Sequence, residues 1–162
     1  MPTSATGTSA RPDAGFTLVE AMTTLVIVGL VVGGVMLAAP SEDRRLRAFA
    51  ESFAARIDAA SEESIMRNRP IALRVTRDGF GYERLEARGW TPMDGRTPLA
   101  FRAWPQDVAY RLEAPQEAES GRIARFDVMG GASPARLVLE RGDARWRVEI
   151  DGQGRAHVTR AE

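Results

Sequence analysis

From Phe16 to Ala39 the chain is apolar but for one charged residue, Glu20. Beyond Pro40 the pattern becomes amphipathic. Leu46, Phe49, Ala50, Phe53, Ile57, Ala60 and Ser64/Ile65 recur at intervals of three and four, and Arg44, Arg45, Arg47, Glu51, Arg56, Asp58, Glu62 and Glu63 fill the positions between. This spacing predicts one long helix over 16–67, bent near Pro40. Its first part, 16–39, would rise about 35 Å at 1.5 Å per residue, enough to cross a bilayer core of about 30 Å. Its second part, 40–67, lays an apolar stripe on a folded domain. Ser41, followed by Glu42 and Asp43, has the makings of a fresh helix start.

After Pro70 the period drops to two. Ile71, Leu73 and Val75 alternate with Ala72, Arg74 and Thr76, and Arg77-Asp78-Gly79 turns the chain toward Phe80 and Tyr82. Residues 87–98, around Trp90, and 113–121 are expected to be loops, with strand-like pieces near 99–103 and 107–112. Further strands are expected at 122–128, 136–140, 145–150 and 155–159, the last entered through Asp151-Gly152-Gln153-Gly154. The fold class is therefore α+β: a long N-terminal helix, transmembrane then amphipathic, followed by an antiparallel β-sandwich over 68–162. Residues 1–15 are small, polar and turn-forming, unable to bury apolar area.

Composition removes most catalytic chemistries. The 162 residues carry 22 acids and 22 basic residues, all arginine, so no net field recruits nucleic acid or anionic lipid. Cysteine is absent, which excludes disulfides and thiolate chemistry, and there is one histidine, His157. In the last strand His157 alternates with Ala156 and Val158 and points outward, as a surface histidine does. Glu62 and Glu63 are adjacent on a helix and diverge, unlike a paired acid and base. Gly130-Gly131 and Gly152-x-Gly154 follow strands without opening helices, so they are turns and not phosphate cradles. No catalytic set, metal cluster or cofactor site is expected.

Glu20 is the anomaly. A carboxylate within a membrane helix costs roughly 2.5–3.5 kcal/mol on insertion scales, less near the interface. A plain anchor leaves it unexplained. A cleaved signal peptide fits poorly, since the apolar run exceeds 7–15 residues and the best cut would have Leu37 before it and Pro40 just after. The run also holds Gly29 and Gly33 at GxxxG spacing, which either lets helices approach closely or reflects the abundance of glycine in membrane helices. Arginine counts (Arg44, Arg45 and Arg47 against Arg11) on their own favour a cytoplasmic domain.

Gly15, Phe16, Thr17, Leu18, Val19 and Glu20, followed by about twenty apolar residues, resemble the class III leader of type IV pilins and type II secretion pseudopilins. The resemblance implies a leader over 1–15, cut by a prepilin peptidase between Gly15 and Phe16, with N-methylation of Phe16. It implies that Glu20 pairs with the amino terminus of a neighbouring subunit and sets register, since a buried charge is tolerable only when paired. It also places the large domain across the membrane, against the arginine count. Asn68-Arg69-Pro70, Arg77-Asp78-Gly79, Trp90, Trp104-Pro105, Ile123-Ala124-Arg125-Phe126, Gly130–Pro134 and Asp151–Gly154 further resemble the minor pseudopilin H and FimT-like family.

That likeness implies a non-enzymatic subunit at or near the tip of a periplasmic pseudopilus that exports folded proteins. Its implied partners are major and minor pseudopilins, the prepilin peptidase, the inner-membrane assembly platform, secreted cargo and the inner membrane itself. Loops 87–98 and 113–121 are candidate recognition segments. The alternative is a FimT-like minor pilin of pilus assembly or DNA uptake, for which Arg141–Arg147, with Arg136 and Arg155, is the best basic stretch. Alternation puts Trp146 on the core face and Arg145, Arg147 and Glu149 together on the other, the pattern of a solvated sheet face. This argues against a nucleic-acid surface.

Overall fold

The structure is a computed structural model that describes residues 17–38, 41–113 and 121–162. Contacts divide the chain into two units, 1–39 and 40–162. The first holds one helix, α1 (Leu18–Ala38). The second holds α2 (Glu42–Met66) and nine strands. Leader residues 1–15, Phe16, Pro40 and most of the 113–121 loop lie outside the described residues.

The sequence predicts one helix with a bend, and the structure has two. Ser41 is the reason: its backbone is non-helical, with ψ at 155°, and its Oγ accepts from the Arg44 N–H at 3.3 Å. Glu42 and Asp43 follow in the first turn, where the helix dipole favours acids. At the other end Asn68 takes φ of 51°, the Asn68 N–H donates to Ile65 O, and the Arg69 N–H donates to Ser64 O. These two bonds form a Schellman cap, and Pro70 follows it.

The strands are β1 (Ile71–Val75), β2 (Gly79–Glu86), β3 (Gly89–Pro92), β4 (Arg102–Ala103), β5 (Ala109–Leu112), β6 (Arg122–Phe126), β7 (Ala135–Arg141), β8 (Ala144–Ile150) and β9 (Ala156–Arg160). They form two antiparallel sheets. One runs β3-β2-β1-β6, with β4 also on β2, and the other runs β5-β7-β8-β9. The expected Arg77–Gly79 hairpin forms, closed by Thr76 N–H to Gly79 O at 2.8 Å. The 87–98 segment is not all loop, because Gly89, at φ of 118°, turns β3 back on β2 and pairs Leu85 with Trp90.

One helix supplies the core for both sheets. Leu46, Ala50, Phe53, Ile57 and Ala60 of α2 are buried with Leu73, Phe80 and Phe126 of the first sheet and Leu137, Leu139, Val148 and Ile150 of the second. Each large side chain so enclosed contributes about 1.5–3 kcal/mol relative to exposure. An aromatic series bridges the sheets: Phe53 meets Phe80 edge-on at 4.6 Å, Phe80 meets Trp104 at 4.9 Å, and Trp104 stacks on Tyr110 at 5.0 Å. Trp104 Nε1 donates to Thr76 O at 2.9 Å, giving its one polar atom a partner.

The helical stripe departs from its predicted form at one point. Ser64 is buried and Ile65 is exposed. Ser64 tolerates the interior because its Oγ bonds Ser61 O at 2.7 Å and Asp127 O at 3.0 Å.

Candidate assembly surfaces

In α1, Thr17 acts as the helix cap, its Oγ1 accepting from the Glu20 N–H at 3.2 Å. The next polar side chains turn inward on their own backbone: Thr23 Oγ1 donates to Val19 O and Thr24 Oγ1 to Glu20 O, each at 2.8 Å. A helix so arranged ties its hydroxyls to its own backbone, as an apolar medium demands. Leu18, Val19, Met22, Leu25, Val26, Leu30 and Val31 are all exposed within the chain. Glu20 is also exposed, and among the described residues no side chain holds its carboxylate.

A methyl group added at Gly29 or Gly33 would meet nothing within 4 Å. Neither glycine is required by packing inside the chain. Counted over the side chains that are described, no helix is long and apolar enough to cross a membrane. The α1 backbone continues to Ala38, making 21 residues and a rise of about 31 Å.

The basic stretch at the β7–β8 hairpin is largely neutralised. Arg147 Nε lies 2.8 Å from Glu113, Arg136 lies 2.9 Å from Glu149, and Arg141 pairs with Asp107. The Glu113 carboxyl is held below the usual carboxylate range, chiefly by its hydrogen bond from Arg147. Trp146 faces α2, where its Nε1 donates to Asp43 Oδ1 at 3.1 Å. The expected alternation of Trp146 against Arg145 and Arg147 therefore holds, and the arginine face of this sheet is a cross-strand ion-pair ladder.

His157 lies 3.1 Å from Asp151, on the exposed side of β9. Asp151 Oδ1 accepts from the Gln153 and Arg155 N–H groups at 2.9 Å each, so this acid builds the turn before β9. Among the described residues no three histidines or acids gather as a metal site.

Two polar arrangements escaped the sequence reading. On the outer face of the first sheet, the Glu83 side chain is only 5% exposed and takes Arg122 Nε at 2.6 Å and Arg74 Nη1 at 3.0 Å. Where α2 meets β2 and β4, Arg56 lies over the Phe80 ring at 5.9 Å. The enclosed Arg56 Nη1 and Tyr82 Oη have no hydrogen-bond partner among the described residues. Burial lowers the Arg56 pKa and the Arg102 charge lowers it further, while burial pushes the Tyr82 hydroxyl up. Periodicity could not reveal either group, because each is assembled from separate elements.

A family model described as type II transport protein GspH matches residues 50–154, and a prokaryotic N-terminal methylation motif matches residues 10–36. The chain is 34% identical to the type II secretion system protein H of Pseudomonas aeruginosa over 139 residues, 82% of this chain and 79% of that one. Its fold is similar to that of the Vibrio cholerae minor pseudopilin EpsH, with a TM-score of 0.61 at 18% identity over 71% of this chain and 96% of the other. It is also similar to the Pseudomonas aeruginosa type IV minor pilin FimU, with a TM-score of 0.52 at 17% identity over 71% and 88%.

Proposed function

Because this chain belongs to the GspH family of type II transport proteins and is a minor pseudopilin of a type II protein secretion system, we propose that it is matured by cleavage between Gly15 and Phe16 and methylated on Phe16. α1 then holds it in the inner membrane as a single pass, with residues 68–162 in the periplasm. From there it joins the pseudopilus at or near its tip, beside other major and minor pseudopilins. The prepilin peptidase and the assembly platform act on it in sequence, and secreted cargo is a further partner. It performs no catalysis; its work is mechanical.

The observation that carries this reading is Glu20, an exposed acid at the head of a helix whose only other polar side chains, Thr23 and Thr24, bond their own backbone. A free amine on Phe16 of a neighbouring subunit supplies the opposite charge there, and a pair of that kind fixes the axial offset between helices. Gly29 and Gly33, with open space beside them, leave room for a neighbouring helix to come close. Pairing of Arg136, Arg141 and Arg147 with acids supports secretion over DNA uptake, since cations already neutralised release few counterions from a phosphate backbone.

Intact mass and N-terminal sequencing of the chain from membranes, with and without prepilin peptidase, test the proposal. The expected start is N-methylated Phe16, and only when the peptidase is present. An unprocessed Met1 in its presence would remove the filament mechanism.

A further inference from the structure

We infer that β5, the outer strand of the second sheet, pairs with an extended segment of a different pseudopilin, which lays an apolar side chain in the cavity beside Trp104 and Tyr110. The inference rests on the reading of this chain as a pseudopilus subunit and names the chemistry of one of its contacts.

Register decides which backbone groups of β5 are committed. β5 ends its sheet, with β7 on one flank and no strand on the other. The Glu113 N–H donates to Arg136 O at 2.9 Å, and this pair continues the antiparallel register of Arg111 with Val138 and Ala109 with Glu140. In such a ladder alternate residues bond the partner strand. Ala109 and Arg111 therefore bond β7, and the N–H and C=O groups of Tyr110 and Leu112 point the other way. Among the described residues nothing bonds those outward groups.

The apolar side of this strand is unfinished as well. Tyr110 and Leu112 share a face with Leu139 and Leu137, their enclosed partners in β7. Leu112 is nevertheless 39% exposed where Leu137 is 2%. Beside Tyr110 lies a cavity of about 390 Å³, walled by Trp104, Pro105, Ala109 and Tyr110, with Arg77 and Gln106 among its polar lining. A strand edge with free backbone groups is a template for another strand. Main-chain bonds then supply affinity, and a pocket selects the side chain. A segment laid along β5 with alternate apolar residues facing inward covers Leu112 with one and reaches the cavity with the next.

A second copy of this chain fits poorly. Aligning two β5 strands so that Tyr110 of one bonds Leu112 of the other sets Arg111 opposite Arg111, and like charges directly across a pair repel. A different pseudopilin escapes that clash. An acid across from Arg111, whose side chain is 63% exposed, adds to the pairing.

The test assembles the full chain in cells carrying the whole secretion system, with a photo-crosslinking residue at Gln106, an exposed position on the cavity wall. A second version carries it at Val31 of α1, which reports incorporation into the filament independently of β5. The expected Gln106 adduct, identified by mass spectrometry, joins a different pseudopilin through a segment of alternating apolar and polar residues. Leu112→Pro deletes an outward N–H and leaves the bonds to β7 in place. It should lower that adduct about tenfold. Leu112→Val keeps the N–H and should not, and the Val31 adduct should hold in both.

A Gln106 adduct indifferent to Leu112→Pro, or one joined to a second copy, to secreted cargo or to residues 114–120 of the same chain, overturns the inference and leaves the filament reading standing. A Val31 adduct with none at Gln106 does the same. Where Leu112→Pro lowers both adducts, Ala109→Trp decides, since it fills the cavity from an exposed position. A loss of about tenfold at Gln106 alone then supports the inference, and no loss overturns it. Absence of both adducts before any further substitution overturns the filament reading and this inference with it.

Discussion

The Glu83 carboxylate lies 2.6 Å from Arg122 and 3.0 Å from Arg74, with one oxygen for each guanidinium. Its side chain is enclosed, and the two arginines keep a water-facing side. The consequences of removing each partner are therefore unequal. Arg74→Ala and Arg122→Ala should each cost about 1 kcal/mol, because one cation still holds the acid. The double substitution should exceed the sum and cost about 3 kcal/mol or more, because it leaves a buried charge unpaired. Denaturant unfolding of the four proteins of the cycle measures the coupling, and strict additivity would dismiss the cooperative pairing.

Gly154 takes φ of 72°, and a side chain there would run into Ser61 Oγ and approach Phe126 at 3.4 Å. Gly154→Ala should destabilise the domain by about 2 kcal/mol or more through backbone conformation and collision together. Adding Ser61→Gly should recover the collision part only. The shift in thermal midpoint reads both.

Asp151 carries a carboxyl depressed below its ordinary value of 3.8, first by the backbone hydrogen bond from Arg155 and then by His157. A folded pKa below the unfolded one means that the acid stabilises the fold above its ordinary range and loses that contribution as pH falls through the lower folded value. The 151–155 turn should thus hold through mildly acid conditions and loosen only below about pH 4. Amide resonances of Gln153 and Arg155 followed by NMR against pH should move together below that point. Movement well above that point instead would dismiss Asp151 as its source.

Glu20→Ala should leave 40–162 folded, since Glu20 lies in the other unit of the chain. Incorporation into the pseudopilus should fall sharply and secretion with it, while a circular dichroism melt of the purified chain stays within about 1 °C, as expected for an exposed position outside the folded domain. Normal secretion by this variant would leave the carboxylate without a role.

Much of the architecture was legible because period and turn chemistry agree. The Ile71–Leu73–Val75 alternation, the Asp78-Gly79 turn and the Trp146–Val148–Ile150 face all stand in the structure as they read in the sequence. The exceptions have local causes. A register shift between Leu73 and Arg74 lets Ile123 and Ala124, adjacent in β6, both be buried. Val138 sits on the arginine face of its sheet and is still fully enclosed, beneath a ladder of long side chains whose stems cover it. β3 was hidden in an apparent loop because its Gly89-Trp90-Thr91-Pro92 is short and ends in proline.

The candidate site divides in the same way. The roles proposed for Gly15, Phe16 and Glu20 come from contiguous sequence alone. The gathering of Arg56, Phe80 and Arg102 has no such linear signal, because only the pairing of β2 with β4 and the packing of α2 assemble them.

α2 touches both sheets along one buried stripe, from Leu46 through Ala60. Neither sheet has another wall of that size, so neither can release the helix while the other keeps its core. The domain should open as one cooperative unit, with amides of β1 and β8 exchanging at similar rates. Under a force applied at the start of α2, this arrangement distributes load. Tension on Ser41 is met by two sheets in parallel, so the domain yields all at once or not at all.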